Sequence, residues 1–251
     1  MKIVYVVPGI MNPTEMARRG KFLQDWAFTG TQADIVCVPE GPASIESMYE
    51  EYLCIPATAK LMVQLEKEGY NAAILGCAGD PGLDAMRELT TEMNVVGPGQ
   101  SGMLAAAMLG HRFSIVTIDD SLSNSYYDMA FKAGVHAKLA SVVSVNIPVL
   151  ELMDDKERSL SKTIDMCKDA LERDRADVIV LGCMTMGFLN VAEEIENAIG
   201  VPVVNPAKVS LKFAEGLVGS KLRHSKKAFA TPPKVSSGRV KNIDDLYIKN
   251  P

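Results

Sequence analysis

The chain has 251 residues, 47% of them hydrophobic and 23% charged, with a formal net charge of -5. That composition belongs to a globular protein and excludes a disordered or fibrous one. The acidic balance gives no general electrostatic reason to bind nucleic acid, and no apolar run approaches the roughly 18 residues of a membrane helix.

The opening Met1 to Val7 is too short for a secretory signal and no small-residue cleavage pattern follows it, so a cytoplasmic location is expected. The five cysteines are then expected to stay reduced, and their odd number without a C-x-x-C pair argues against a disulfide framework or a zinc knuckle. His111, His136 and His224 are scattered, with none at helical spacing from another ligand type, so no metal site is expected. No glycine-rich phosphate motif or serine-nucleophile elbow stands between a strand and a helix, which removes the main support for nucleotide or serine-hydrolase chemistry.

Along the chain, short apolar and β-branched runs alternate with turn residues and amphipathic stretches, the pattern of βα units and a parallel sheet. Strands are predicted at Ile3–Val7, Asp34–Val38, Ala72–Leu75, Val95–Val96, Phe113–Ile118, Leu139–Val145, Val178–Leu181 and Val201–Val204. A helix is predicted over Pro56–Glu68, with proline at its start and Gly69 after its end. Another is predicted from about Lys156 to Arg173, where Leu160, Ile164, Cys167 and Leu171 recur at helical spacing, so Cys167 reads as a residue packed on the sheet. From Arg223 onward the chain is basic and rich in proline, serine and glycine. It reads as an extended wrap, and deleting residues 240–251 is expected to leave activity nearly intact.

The most informative feature is an internal repeat. Ala73-Ile74-Leu75-Gly76-Cys77 and Val178-Ile179-Val180-Leu181-Gly182-Cys183 both end a strand in Leu-Gly-Cys, and the later marks Val96-Gly97-Pro98 and Val204-Asn205-Pro206 follow at nearly the same distance. One lobe used twice predicts a pseudo-twofold axis with the two thiols facing each other across a cleft. Ligands of open α/β sheets bind at the carboxyl ends of strands, where both cysteines fall.

Two like groups on opposite faces of one atom suit proton exchange at a stereocentre, one thiolate removing a proton and one thiol returning it. The free thiol pKa near 8.5 makes either role accessible after modest tuning. Asp80-Pro81 reads as an N-cap and first helical residue, so a helix dipole is expected to favour a Cys77 thiolate, against the opposing charge of Asp80 itself. Near Cys183 the next helix is expected to open later, through an Asn190/Glu193 capping pair, giving that cysteine weaker help.

Gly41-Pro42-Ala43-Ser44-Ile45-Glu46, Gly76-Cys77-Ala78-Gly79-Asp80-Pro81-Gly82-Leu83-Asp84 and Leu109-Gly110-His111-Arg112-Phe113-Ser114-Ile115-Val116-Thr117 resemble motifs of the Asp/Glu/hydantoin racemase superfamily, and within it the hydantoin racemase branch. The resemblance implies an α/β fold of two pseudosymmetric lobes, each with a mainly parallel four-stranded sheet flanked by helices. It implies an active site in the cleft between them, catalytic Cys77 and Cys183, and no cofactor. It divides the chain into residues 1–98 plus 208–251 as lobe one and 99–207 as lobe two. It also assigns substrate binding to Asn12, Ala78, Gly79, Thr117, Met184 and Thr185. Amino-acid racemases of the superfamily carry Asn-Thr after the first cysteine and Thr-x-His near the second. Here Ala78-Gly79 and Met184-Thr185-Met186 stand instead.

The expected function is therefore cofactor-independent racemisation of a 5-substituted hydantoin or related cyclic ureide. An amino-acid racemase, and a noncatalytic two-lobed binding or maturation protein, are the competing readings. The expected partner is a small-molecule substrate, with no nucleic acid or membrane and with a homo-oligomer allowed.

Overall fold

The computed structural model describes residues 1–246; residues 247–251, the end of the basic tail and part of the 240–251 deletion, lie outside them. In chain order the elements are β1 (Lys2–Val7), α1 (Pro13–Trp26), β2 (Gln32–Cys37), α2 (Met48–Lys67), β3 (Ala72–Leu75), α3 (Leu83–Leu89), β4 (Asn94–Val96), α4 (Pro98–Leu109) and β5 (Phe113–Thr117). There follow α5 (Ser123–Lys132), β6 (Leu139–Ser144), α6 (Lys156–Asp174), β7 (Val178–Leu181), α7 (Met184–Leu189), α8 (Ala192–Ile199), β8 (Val203–Val204), α9 (Pro206–Gly219) and α10 (Pro233–Ser236). The strands form two four-stranded parallel sheets of order β2-β1-β3-β4 and β6-β5-β7-β8. The second repeats the topology of the first, so the fold is α/β with two pseudosymmetric lobes.

Each sheet is covered on both faces, as parallel sheets require. The period of two along β1 sends Ile3, Tyr5 and Val7 into one cluster with Leu23 and Phe188, and Val4 and Val6 into another with Met62 and Met86. The second lobe has one large cluster around Phe113, Ile115, Val180 and Leu181, into which Cys167 of α6 is fully buried. The repeat extends to register, since Val6 pairs with Leu75 and Val116 with Leu181 immediately before each Gly-Cys step. Helix α9 crosses back to pack against β1, β3, β4 and α1.

The prediction of a helix starting at Pro56 is corrected. Helix α2 begins eight residues earlier at Met48 and carries Pro56 in its interior. Ser47 and Glu50 cap it: Glu50 N donates to Ser47 Oγ at 3.3 Å, and the Glu50 carboxylate accepts from Ser47 Oγ at 2.9 Å and from Glu46 N at 2.8 Å. Proline costs one hydrogen bond there, which a helix of this length packed on the sheet tolerates.

The tail has firm anchor points. The Lys226 ammonium donates to the carbonyls of Arg87, Glu88 and Thr90 at the end of α3, at 2.8 to 3.1 Å. His224 Nε2 accepts from Val95 N at 3.0 Å on the edge strand β4, and burial drives its pKa down to about 4, which keeps the ring neutral. Ile243 packs on the first lobe's cluster and Asp244 pairs with Lys60 at 2.7 Å.

Candidate active site

Cys77 follows β3 and Cys183 follows β7, the equivalent strands of the two sheets. In both lobes the glycine before the cysteine extends the ladder, Gly76 N donating to Val6 O at 2.8 Å and Gly182 N to Val116 O at 2.7 Å. Both positions are too tight for a side chain. A Cβ on Gly76 would stand 2.5 Å from Val6 O, and one on Gly182 would stand 2.8 Å from Ile115 Cγ2. Each glycine carbonyl also accepts from a tyrosine hydroxyl, Gly76 from Tyr5 at 3.2 Å and Gly182 from Tyr126. The two thiols are thus set at matching points of the pseudosymmetric frame.

They open on one cavity of about 100 Å³ between the lobes, lined among others by Pro42 to Ile45, Ala78, Gly79, Tyr126, Met184 and Thr185. Arg19 and Glu51 are the charged side chains in that lining among the described residues. The structure thus brings six of the eight residues singled out in the sequence to one place. Asn12 is exposed and caps α1, its Oδ1 accepting from Glu15 N at 2.8 Å. Thr117 is fully buried at the end of β5 with its hydroxyl 3.5 Å from that of Tyr126, and it stays out of the cavity lining.

The two thiols sit in different electrostatic surroundings. Burial pushes Cys77 well above the ordinary thiol range and the neighbouring Glu51 carboxyl pushes it further, against a hydrogen bond from Gly79 N–H. Burial also raises Cys183, but backbone N–H groups of Met186 and Thr185, the Arg19 guanidinium and the Thr185 hydroxyl all favour its thiolate.

Two expectations about these surroundings are corrected. Asp80 does not cap the helix after Cys77. Its backbone is left-handed with φ 50°, and its carboxylate instead accepts from Gly99 N at 2.9 Å and Gln100 N at 2.7 Å at the start of α4. The helix after Cys77 starts at Leu83, two residues later than expected, with Gly82 at its N-cap, so its N-terminal end stands farther along the chain from Cys77. Conversely, Cys183 is itself the N-cap of α7, and Asn190 closes that helix in a left-handed conformation instead of opening the next one. The helix-end assistance falls on the second cysteine.

Sequence reasoning missed Arg19 and Glu51. Arg19 is paired with Glu15 at 2.6 Å one turn away and reads as a surface ion pair, yet it is 5% exposed and its Nη2 donates to Thr185 Oγ1 at 3.0 Å across the cleft. Glu51 stands in the first turn of α2, where acidic residues are ordinary; the Ser47/Glu50 capping pair was the signal that would have placed that turn. Among the described residues no group of three His, Cys, Asp or Glu side chains gathers to hold a metal ion. No described helix is long and apolar enough to cross a membrane.

Two pseudosymmetric α/β lobes with a cysteine from each on a shared cleft define the frame of a racemase. The chain belongs to the Asp/Glu/hydantoin racemase family, whose model matches residues 21–214. It is 34% identical over 230 residues to the hydantoin racemase of Pseudomonas sp. (strain NS671), covering 90% of this chain and 91% of that protein. It is 32% identical over 225 residues to the hydantoin racemase of Paenarthrobacter aurescens, covering 86% and 93%. The allantoin racemase from Klebsiella pneumoniae superposes with a TM-score of 0.86 at 29% identity, over 93% of this chain and 94% of that one. The protein is accordingly a racemase, an isomerase acting on a small molecule.

Proposed function

We propose that the protein racemises a 5-substituted hydantoin or related cyclic ureide by two-thiol proton transfer, without a cofactor. The observation that carries this reading is the placement of Cys77 and Cys183 at equivalent strand ends on one cleft. Relatives named hydantoin and allantoin racemases support the substrate class. Arg19, the one cation in the cleft lining among the described residues, is already engaged by Glu15 and Thr185. A carboxylate substrate finds no free cation there, which favours a neutral ring over an amino acid.

In this mechanism Cys183, helped by Arg19 and the N–H groups at the start of α7, is the more readily ionised thiol and supplies the thiolate, and Cys77 beside Glu51 stays protonated. Cys183 removes the proton at the stereocentre, and the electron pair moves onto the adjacent ring carbonyl. Backbone N–H groups after the cysteines, at Ala78 and Met184, are the donors for that oxygen. Cys77 then returns a proton to the opposite face and becomes the thiolate, ready for the reverse direction. Lobe one, residues 1–98 with 208–251, and lobe two, residues 99–207, are the units holding the two faces. A reducing, cytoplasmic setting suits a mechanism that needs both thiols free.

The test is to incubate single enantiomers of 5-substituted hydantoins and of amino acids in D2O, following optical rotation and deuterium at the stereocentre. Loss of rotation with deuterium uptake on the hydantoins is expected. Turnover of amino acids alone, or of neither class, refutes the reading.

A further inference from the structure

The carboxyl of Glu51 is the one ionisable group in the cleft lining, apart from the cysteines, whose partner the fold does not supply. Glu51 as a residue is 7% exposed and lines the cleft, and its carboxylate, which is not among the fully buried unpaired atoms, takes part in no ion pair or hydrogen bond among the described residues. It lies over the backbone beside Cys77, with Oε1 only 1.9 Å from where a Cβ on Gly79 would stand, so the bare backbone of Gly79 is what admits it. A largely buried carboxyl that opens on a ligand cleft with no protein donor leaves its acceptor sites to water or to a donor on the ligand. At the other charged position Arg19 is satisfied by Glu15 and Thr185, so the unmet demand is confined to the Cys77 side.

We infer that Glu51 is a specificity-determining residue that accepts a hydrogen bond from a ring N–H of the substrate. The inference rests on the ureide reading above and adds which group recognises the ring. A cyclic ureide places an N–H beside a carbonyl on the same edge. An ionised Glu51 accepts from that N–H, and a protonated one accepts through one oxygen while donating through the other to the adjacent carbonyl. The match holds in either charge state. It also orients the ring about the axis on which the two thiols act.

The test compares 5-benzylhydantoin with its N1-methyl and N3-methyl derivatives. A hydrogen bond to a buried carboxyl corresponds to at least about a tenfold effect, so the wild type should lose about that much in kcat/KM for one of the two methylated rings. Glu51→Ala, and Glu51→Met as a variant of similar length without an acceptor, should discriminate less than about threefold. A fold defect or a disturbed Cys77 lowers parent and methylated rings alike and leaves their ratio unchanged. Equal ratios in wild type and variants overturn the inference while leaving the racemase reading intact.

Should the wild type turn over no hydantoin, calorimetric binding of the three rings to the Cys77→Ser/Cys183→Ser double variant asks the same question without chemistry. A preference for the unmethylated ring that Glu51→Ala removes supports the role of Glu51 even then. Equal or absent binding overturns it.

Discussion

An unpartnered buried carboxyl has a stability cost that can be measured by removing it. Burial holds the Glu51 pKa at about 7 in place of the usual 4.5. Between those two values the folded chain keeps a proton that the unfolded chain releases, so stability falls as pH rises through this window and then levels off. At 1.36 kcal/mol for each pH unit, the full interval has a ceiling of about 3.4 kcal/mol. Water reaching the group through the open cleft screens part of it, which leaves about 1–2 kcal/mol. Glu51→Gln cannot ionise and escapes this loss. The variant should be more stable than wild type by about 1–2 kcal/mol at pH 8 and nearly equal to it at pH 4.5, seen as a melting point roughly 2–6 °C higher only at the higher pH. Urea and thermal unfolding followed by far-UV circular dichroism at both pH values give the comparison. An equal difference at the two pH values, or a less stable variant at pH 8, refutes the reasoning.

Replacing Cys77 or Cys183 by serine should each abolish net racemisation, because a hydroxyl is too weak an acid to supply the base. Each variant should still exchange the proton of one enantiomer with D2O, with opposite enantiomer preferences for the two, and near-wild-type racemisation by either one sinks the two-thiol mechanism. The unequal surroundings of the thiols predict that Cys183 ionises at lower pH than Cys77. Iodoacetamide should therefore modify position 183 in Cys77→Ser at a lower pH than position 77 in Cys183→Ser, as read by mass spectrometry; the reverse order contradicts the assignment. Asp80→Ala removes both hydrogen bonds to the start of α4 and should cost about 1–2 kcal/mol in denaturant unfolding. Asp80→Asn keeps an acceptor and tolerates the left-handed backbone, so it should retain most of that stability.

The eight strands and the two cysteines were legible in the chain because the signals are local. Apolar runs such as Val178 to Leu181 bounded by Gly182 specify a buried strand and its end, and the second Leu-Gly-Cys shows the same device used twice. The tertiary structure decided how the site is completed. Asp80 passes over its own helix for N–H groups 19 and 20 residues away, and Arg19 meets Thr185 across 166 residues. Glu51 reaches Cys77 only because α2 starts before Pro56 and Gly79 leaves room for its carboxyl. Asn12 and Thr117, by contrast, lie near the strand ends in sequence but spend their side chains on α1 and Tyr126. Local pattern determines which residues form a strand or a turn, whereas the partner of a polar side chain depends on the chain segments that folding brings beside it.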